Sequence, residues 1–226
     1  MLIKSHKFTC IIHPQEIETQ YITYIRKLFK VIFIESVTIN LTIFTKQESG
    51  IMNLPEKVNL ERIYGESTKC AERFQKLAEK FAEIYKHDHA DFFTSPGRTE
   101  IIGNHVDHNG GKVIAGSINL DTIGAAAPNG TNVIHITSEG YRDEIVVDLD
   151  KLSKENYSNG TFALLAGMME GAGKNGFKTA GFDAYVSTNV IAAAGVSSSA
   201  SFEMLICVII DYFFNDSKMT YTDYAK

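Results

Sequence analysis

One short segment gathers most of the side chains that could do chemistry. Residues 97–111 read GRTEIIGNHVDHNGG, which places a cation, carboxylates, imidazoles and amides between glycines. Such groups recognise sugar hydroxyls, because a carboxylate accepts hydroxyl hydrogen bonds while histidine and asparagine side chains donate or accept them. A rigid loop that holds several of them lowers the entropy cost of orienting a polar ligand. The segment predicts a sugar-binding site, and a polar turn with a locally capped backbone is the alternative.

A metal site is a second alternative for the same segment. His105, Asp107 and His108 are all metal-ligand types. Adjacent side chains on a strand point to opposite faces, so the order His-Val-Asp-His is poor spacing for a shared ion. The spacing argues against metal binding here.

The second motif is the small-residue loop GVSSSAS, residues 195–201, directly before an apolar stretch. Backbone N–H groups at a helix N-terminus are unpaired and carry the positive end of the helix dipole. Small residues let a phosphate approach those groups, and serine hydroxyls can donate to phosphate or bind Mg²⁺. A serine cap without a ligand is the alternative. The loop matches neither a Walker motif nor a Gly-x-Ser-x-Gly nucleophile elbow.

The two motifs together resemble the galactokinase branch of the GHMP sugar and metabolite kinases. GRTEIIGNHVDHNGG resembles the galactokinase signature, and GVSSSASFE resembles the phosphate loop of the superfamily, in the same order and spacing. The resemblance extends over roughly residues 60–226. It divides the chain into an unassigned extension, residues 1–55, and a galactokinase-like N-terminal domain, residues 56–226.

The resemblance implies roles for individual residues of the signature. Arg98 matches the arginine near the transferred phosphate and is the expected catalytic residue. The residues that match the galactose-binding positions are Asn104, His105 and Asp107. Asn104 stands where most of the family has glutamate, which leaves the sugar preference open.

The phosphate loop carries the implied nucleotide site. The matching residues are Gly195, Ser197, Ser198 and Ser199, and Ser199 is the expected Mg²⁺ ligand. Residues 192–194 are three alanines where the family usually has proline with glycine or serine. Alanine disfavours positive φ, so nucleotide binding should weaken if the loop requires that conformation there.

The implied reaction is phosphoryl transfer from ATP, with Mg²⁺, to the anomeric hydroxyl of galactose. The family's catalytic aspartate lies beyond the phosphate loop and is followed by a C-terminal domain. The aspartates after the loop, Asp211, Asp216 and Asp223, lack that context. We therefore expect a truncated chain with little activity alone, whose partner would be the missing C-terminal half. A non-catalytic sugar- or nucleotide-binding module and a gene-fragment product are the alternatives.

Hydrophobic periodicity predicts the elements that must position these motifs. The pattern indicates helices over residues 67–86, 161–173 and 202–214, and strands over residues 37–43, 113–123, 133–138, 145–149 and 182–190. Strands and helices do not alternate in a regular βαβ rhythm. The predicted class is α+β, a mixed β-sheet with helices packed on one face.

Composition limits the classes of function. The chain has 226 residues, a net charge of −5 and 22% charged residues, which is typical of a globular protein. The absence of a basic excess gives no support to a nucleic-acid or anionic-membrane partner. Three scattered cysteines argue against a disulfide framework and fit a reducing compartment, so we expect a cytoplasmic protein with small-molecule substrates.

Overall fold

A single sheet organises the chain. The computed structural model describes residues 2–4, 9–11, 52, 54–102, 114–152, 160–191 and 195–224. Its strands are β1 Leu2–Lys4, β2 Thr9–Ile11, β3 Asp91–Ile102, β4 Ile114–Pro128, β5 Val133–Ser138, β6 Ile145–Asp148 and β7 Phe182–Thr188. Its helices are α1 Lys57–Tyr64, α2 Thr68–Tyr85, α3 Gly160–Lys174, α4 Ser198–Phe214 and α5 Tyr221–Tyr224, with a short 3₁₀ turn at Leu149–Lys151.

Strand β4 is the centre of the sheet. It pairs antiparallel with β3 along one edge and with β7 along the other. Strand β5 pairs parallel with β7, and β6 pairs antiparallel with β5. The β1–β2 hairpin joins β4 where Ile11 lies opposite Ala115. The mixed sheet of the predicted class is therefore confirmed.

The helices cover both faces of this sheet, which corrects the expected packing on one face. Helices α1 and α2 share a core with Phe92, Ala125 and Tyr185. Helices α3 and α4 share another with Phe93 and Ala126. Successive side chains of a strand point to opposite faces, so two adjacent buried phenylalanines require an apolar layer on each side.

Most predicted elements are confirmed, with changes at their ends. Strand β4 continues to residue 128, and α4 already begins at Ser198 within the serine run. Proline followed by glycine is typical of a turn, yet β3 continues through Pro96 and Gly97, with a register shift between Pro96 and Arg98. Such a bulge accommodates a proline that cannot donate to the ladder. The predicted strand 37–43 lies outside the described residues, and the boundary at residue 55 stays a prediction.

Within the described ranges, none of the helices combines the length and the apolar character that crossing a bilayer requires.

Candidate functional site

The start of the signature touches the loop before α4. The backbone N–H of Arg98 donates to the carbonyl of Val196 over 3.0 Å. At Gly97, a Cβ atom would lie 2.9 Å from that same carbonyl oxygen and 3.0 Å from Cγ1 of Val190. Glycine is needed here because of space, since the backbone of β3 approaches the loop too closely for any side chain. Two segments about 100 residues apart thus meet at one place.

The Arg98 side chain retains capacity to bind an anion. It is 43% exposed, and its Nη2 lies 3.2 Å from Oε1 of Glu100. Its Nε is buried and has no hydrogen-bond partner among the residues that the structure describes. A guanidinium has five donors in a planar fork that matches the geometry of a phosphate or carboxylate. The side chain therefore suits an incoming anionic group.

The loop before α4 has the backbone of an anion site. Gly195 and Ser197 both adopt the left-handed conformation, with φ of 71° and 59°. Ser197 is the N-cap residue of α4, but its side chain makes no capping hydrogen bond. The N–H groups of the first turn are therefore not served by the cap side chain, which is the arrangement that helix N-termini offer to phosphate.

A cavity of about 440 Å³ opens beside this helix end. Ser198 and Ser199 line it, as does the loop between β5 and β6 around Tyr141 and Arg142. Glu139 and other polar side chains that line the cavity carry oxygen atoms that could act as metal ligands. Hydroxyl and carboxylate oxygens are the ligands that Mg²⁺ prefers, so this donor set fits a magnesium–phosphate group. Among the described residues, there is no group of three or more His, Cys, Asp or Glu side chains that could hold a metal ion by itself.

The predicted site residues divide into two sets. Arg98 and the four loop residues lie on neighbouring segments around the Arg98–Val196 contact. The predicted sugar ligands Asn104, His105 and Asp107, together with residues 192–194, lie outside the described residues. Their roles, and the metal role of Ser199, stay predictions.

The sequence interpretation missed several neighbours of the site. Glu100 could have been found, because residues two apart in a strand share a face and oppositely charged side chains pair there. Tyr141 and Arg142 carried no such signal, since they reach the cavity from a loop of another hairpin.

The aspartates after the loop have structural partners. Asp211 is 3% exposed, accepts the Tyr224 hydroxyl over 2.6 Å and accepts the backbone N–H of Met219. Asp216 pairs with Lys218, and Asp223 accepts from Thr220. That none of the three replaces the family's catalytic aspartate stays a prediction.

A charged cluster supports β4 behind the site. The buried Asp121 carboxylate accepts Nη1 of Arg73 over 2.8 Å, the Tyr64 hydroxyl over 2.6 Å and the Thr94 hydroxyl over 2.7 Å. Burial, followed by the nearby Asp121 charge, raises the pKa of the Tyr64 phenol far above its usual value. The charged cluster ties α1 and α2 to the middle of the sheet.

Comparison with solved structures identifies the class of this fold. The mevalonate kinase of Methanococcus jannaschii aligns with a TM-score of 0.50 and 16% identity, over 59% of this chain and 43% of that chain. At that identity the likeness concerns the fold alone. It is the fold of the N-terminal domain of GHMP kinases.

Sequence similarity then identifies the branch. The galactokinase galactose-binding signature matches residues 79–128. A Clostridium tetani galactokinase is 31% identical over 67% of this chain and 38% of its own length, and a Lactococcus lactis galactokinase is 37% identical over 62% and 36%. The structure of Lactococcus lactis galactokinase complexed with galactose aligns with a TM-score of 0.61 and 30% identity, over 67% of this chain and 40% of that chain. The chain is similar in sequence and structure to the N-terminal portion of galactokinases. It spans less than two-fifths of the length of these curated relatives.

Proposed function

We propose that this chain binds galactose and MgATP as the N-terminal portion of a galactokinase. The reaction is phosphoryl transfer from ATP to the anomeric hydroxyl of galactose. The bond between the β–γ bridging oxygen and the γ-phosphorus breaks and ADP leaves, while a new bond forms between the sugar oxygen and phosphorus and the hydroxyl proton passes to a base or to solvent. The hydrogen bond from Arg98 N–H to the Val196 carbonyl carries this proposal, because it joins the sugar signature to the phosphate loop.

The residues divide the work between two substrates. Asn104, His105 and Asp107 hold the sugar hydroxyls, as the family likeness implies. The loop from Gly195 to Ser199 holds the nucleotide phosphates with backbone N–H groups and hydroxyls. Arg98, whose backbone contacts the loop, would neutralise charge on the transferred group, which is the main contribution a protein makes to this chemistry.

Magnesium completes the nucleotide site. A bound Mg²⁺ would supply positive charge that offsets the negative charge of the nucleotide phosphates. We propose that the Ser199 hydroxyl supplies one ligand.

Turnover by this chain alone should be small. A catalytic base typically contributes about 10²–10⁴-fold to rate, and the described aspartates after the loop are engaged in structural contacts.

A non-catalytic sugar- or nucleotide-binding module is the second candidate. The partly exposed guanidinium of Arg98 favours ligand binding in either case. We also propose a cytoplasmic location, because Cys70 and Cys207 are free thiols.

Calorimetry with galactose and with MgATP, beside a coupled assay of ADP release, tests the proposal. We expect both ligands to bind. Asp107→Ala should abolish galactose binding, and Arg98→Ala should weaken MgATP binding by about tenfold or more, since hydrogen bonds to charged groups are the strong ones. The exposed residues Asp216 and Arg62 provide matched controls as Asp216→Ala and Arg62→Ala.

Four results separate the candidates. Binding of both ligands with little ADP release supports the proposal, and binding of one ligand alone supports the module. Robust turnover by the isolated chain would show that another residue acts as the base. Binding of neither ligand by a folded chain would refute both candidates.

A further inference from the structure

Three hydroxyl side chains, two of them buried, form a hydrogen-bonded network beneath the phosphate loop. Oγ of Ser201 lies 2.8 Å from the carbonyl oxygen of Ser95 and 2.7 Å from Oγ1 of Thr122. Oγ1 of Thr122 lies 2.8 Å from Oγ1 of Thr188. Ser95, Thr122 and Ser201 are each no more than 2% exposed. We call the side chains of Thr122, Thr188 and Ser201 the hydroxyl network.

The three members of the hydroxyl network, and the Ser95 carbonyl that Ser201 contacts, belong to four different segments around the site. Ser201 lies in the first turn of α4, where its N–H bonds to the carbonyl of Ser197. The Ser95 carbonyl lies in β3, three residues before Arg98. Thr188 ends β7, and its hydroxyl accepts the N–H of Val190, the residue whose side chain abuts Gly97. Thr122 of β4 is therefore the common neighbour of all three segments.

The hydroxyl network differs from the apolar contacts that surround it. The rest of the contact between α4 and the sheet is apolar, with Leu205 and Ile209 fully buried. Apolar contacts tolerate small shifts, whereas hydrogen bonds fix distance and direction. A buried hydroxyl without a partner is costly, so only one placement of α4 satisfies the whole network.

The loop above the network needs such support. Ser197 is held in the left-handed region, which a residue with a Cβ keeps only when its surroundings impose it. Its side chain does not cap α4. The Arg98–Val196 hydrogen bond joins the loop to β3 above the network, and the hydroxyl network joins α4 to β3 below it.

From this geometry we infer that Thr122 is a positioning residue that fixes the phosphate loop relative to Arg98, through the hydroxyls of Ser201 and Thr188. The ligand-binding part of this inference rests on the proposed function. Thr122 acts without touching the reacting atoms, and loss of its hydroxyl releases the loop while the apolar packing of α4 remains.

Hydrogen exchange of the full chain, with and without MgATP, tests the inference. Thr122→Val removes the hydroxyl at nearly constant shape, and Thr122→Ser keeps it. Thr137→Val is the matched control, because it removes a hydroxyl that bonds to Tyr85 over 2.9 Å in strand β5. Ser201→Ala breaks the same network from the helix side.

We expect Thr122→Val and Ser201→Ala to raise amide exchange about fivefold to tenfold in residues 97–98 and 195–201, relative to the core of α2. That factor corresponds to one lost buried hydrogen bond. Thr122→Ser should restore slow exchange, and Thr137→Val should leave both segments unchanged. MgATP affinity should fall by a similar factor for Thr122→Val and not for Thr137→Val.

Unchanged exchange in both segments after Thr122→Val and Ser201→Ala overturns the inference. An equal effect of Thr137→Val also overturns it, since the change would then reflect general stability. If the unaltered chain does not bind MgATP, the proposed nucleotide function fails, while the exchange comparison still decides whether Thr122 positions the loop.

Discussion

Two adjacent residues of β4 anchor opposite faces of the sheet by different means. Asp121 anchors the α1–α2 face through the charged cluster, with an ion pair of 2.8 Å to Arg73. Thr122 anchors the α3–α4 face through the neutral hydroxyl network, at 2.7 Å from Ser201. Both side chains are almost fully buried. The charged contact and the neutral contacts therefore lie on opposite faces of the same strand.

The difference shows how charge can be used near an anion site. The proposed phosphate loop lies on the Thr122 side, where Ser198 and Ser199 line the cavity. A buried carboxylate on that side would repel phosphate strongly, because charges interact strongly in a low-dielectric interior. Neutral hydroxyls fix the geometry without that repulsion. The Arg73–Asp121 ion pair lies on the face opposite the proposed phosphate loop.

The largest effect should separate the two anchors by stability. Asp121→Asn leaves the Arg73 guanidinium, which is only 25% exposed, without its carboxylate. We expect a loss of about 3 kcal/mol in unfolding free energy, near the lower end for a broken buried pair. Thr122→Val should cost about 1 kcal/mol, the usual value for one hydrogen bond. Urea unfolding of both variants measures the difference, and equal losses would contradict the contrast.

Alanine substitutions of two glycines, one beside the phosphate loop and one after α1, should differ in their cost to stability. Gly97 lies against Val196 and Val190 on the loop side, so Gly97→Ala forces an overpacked contact that should cost about 2 kcal/mol. Gly65 follows α1 with φ of 75° and open space around it, so Gly65→Ala should cost about 1 kcal/mol through backbone strain alone. Thermal unfolding measures both losses. Gly97→Ala should also weaken MgATP binding, and a similar weakening by Gly65→Ala would contradict a local role for Gly97.

The tyrosine of the charged cluster should report on the Asp121 charge. The raised pKa of Tyr64 means that the folded chain holds the phenolic proton more tightly than the unfolded chain does. Stability should therefore fall as pH rises above about 10, and Tyr64→Phe should reduce that fall. Asp121→Asn should lower the pKa of Tyr64, measured by tyrosinate absorbance in a chain without tryptophan. An unchanged Tyr64 titration would show that the Asp121 charge has little influence there.

The smallest expected change in stability concerns a carboxylate on the α3–α4 face of the sheet. Asp91 pairs with Ala126, whose side chain faces α4, and burial raises the pKa of Asp91 to about 6. Between pH 4 and 6 the folded chain binds more protons than the unfolded chain, so this residue's contribution to stability falls as pH rises through that window. Asp91→Asn should flatten the fall and slightly stabilise the chain at neutral pH. Denaturant unfolding at several pH values checks this, and parallel profiles of the two proteins would contradict it.

Local patterns predicted much of the fold and the identity of the site segments. Apolar spacing of three and four predicted α2, and alternation predicted β5. Both motifs are contiguous in sequence, so residue types and order alone indicated a sugar segment and a phosphate loop. Hydrogen bonding within a helix is local, and side-chain periodicity reflects one exposed and one buried face.

The continuation of β3 through Pro96 and Gly97 could not be predicted from local signals. Both residues usually end a strand, and the bulge that accommodates them depends on pairing with β4. The second helical layer was missed for a similar reason. Phe92 and Phe93 are adjacent buried residues, and the helices that each of them contacts are determined only when the sheet is assembled.

The sequence by itself determined the elements, the two motifs and the family likeness, because these depend on neighbouring residues. Only the tertiary structure decided that Arg98 meets Val196, and that Asp121 and Thr122 anchor opposite faces. The Arg73–Asp121 and Thr122–Ser201 contacts span 48 and 79 residues. Contacts across such separations depend on strand order and register, which set the positions of side chains far apart in the chain.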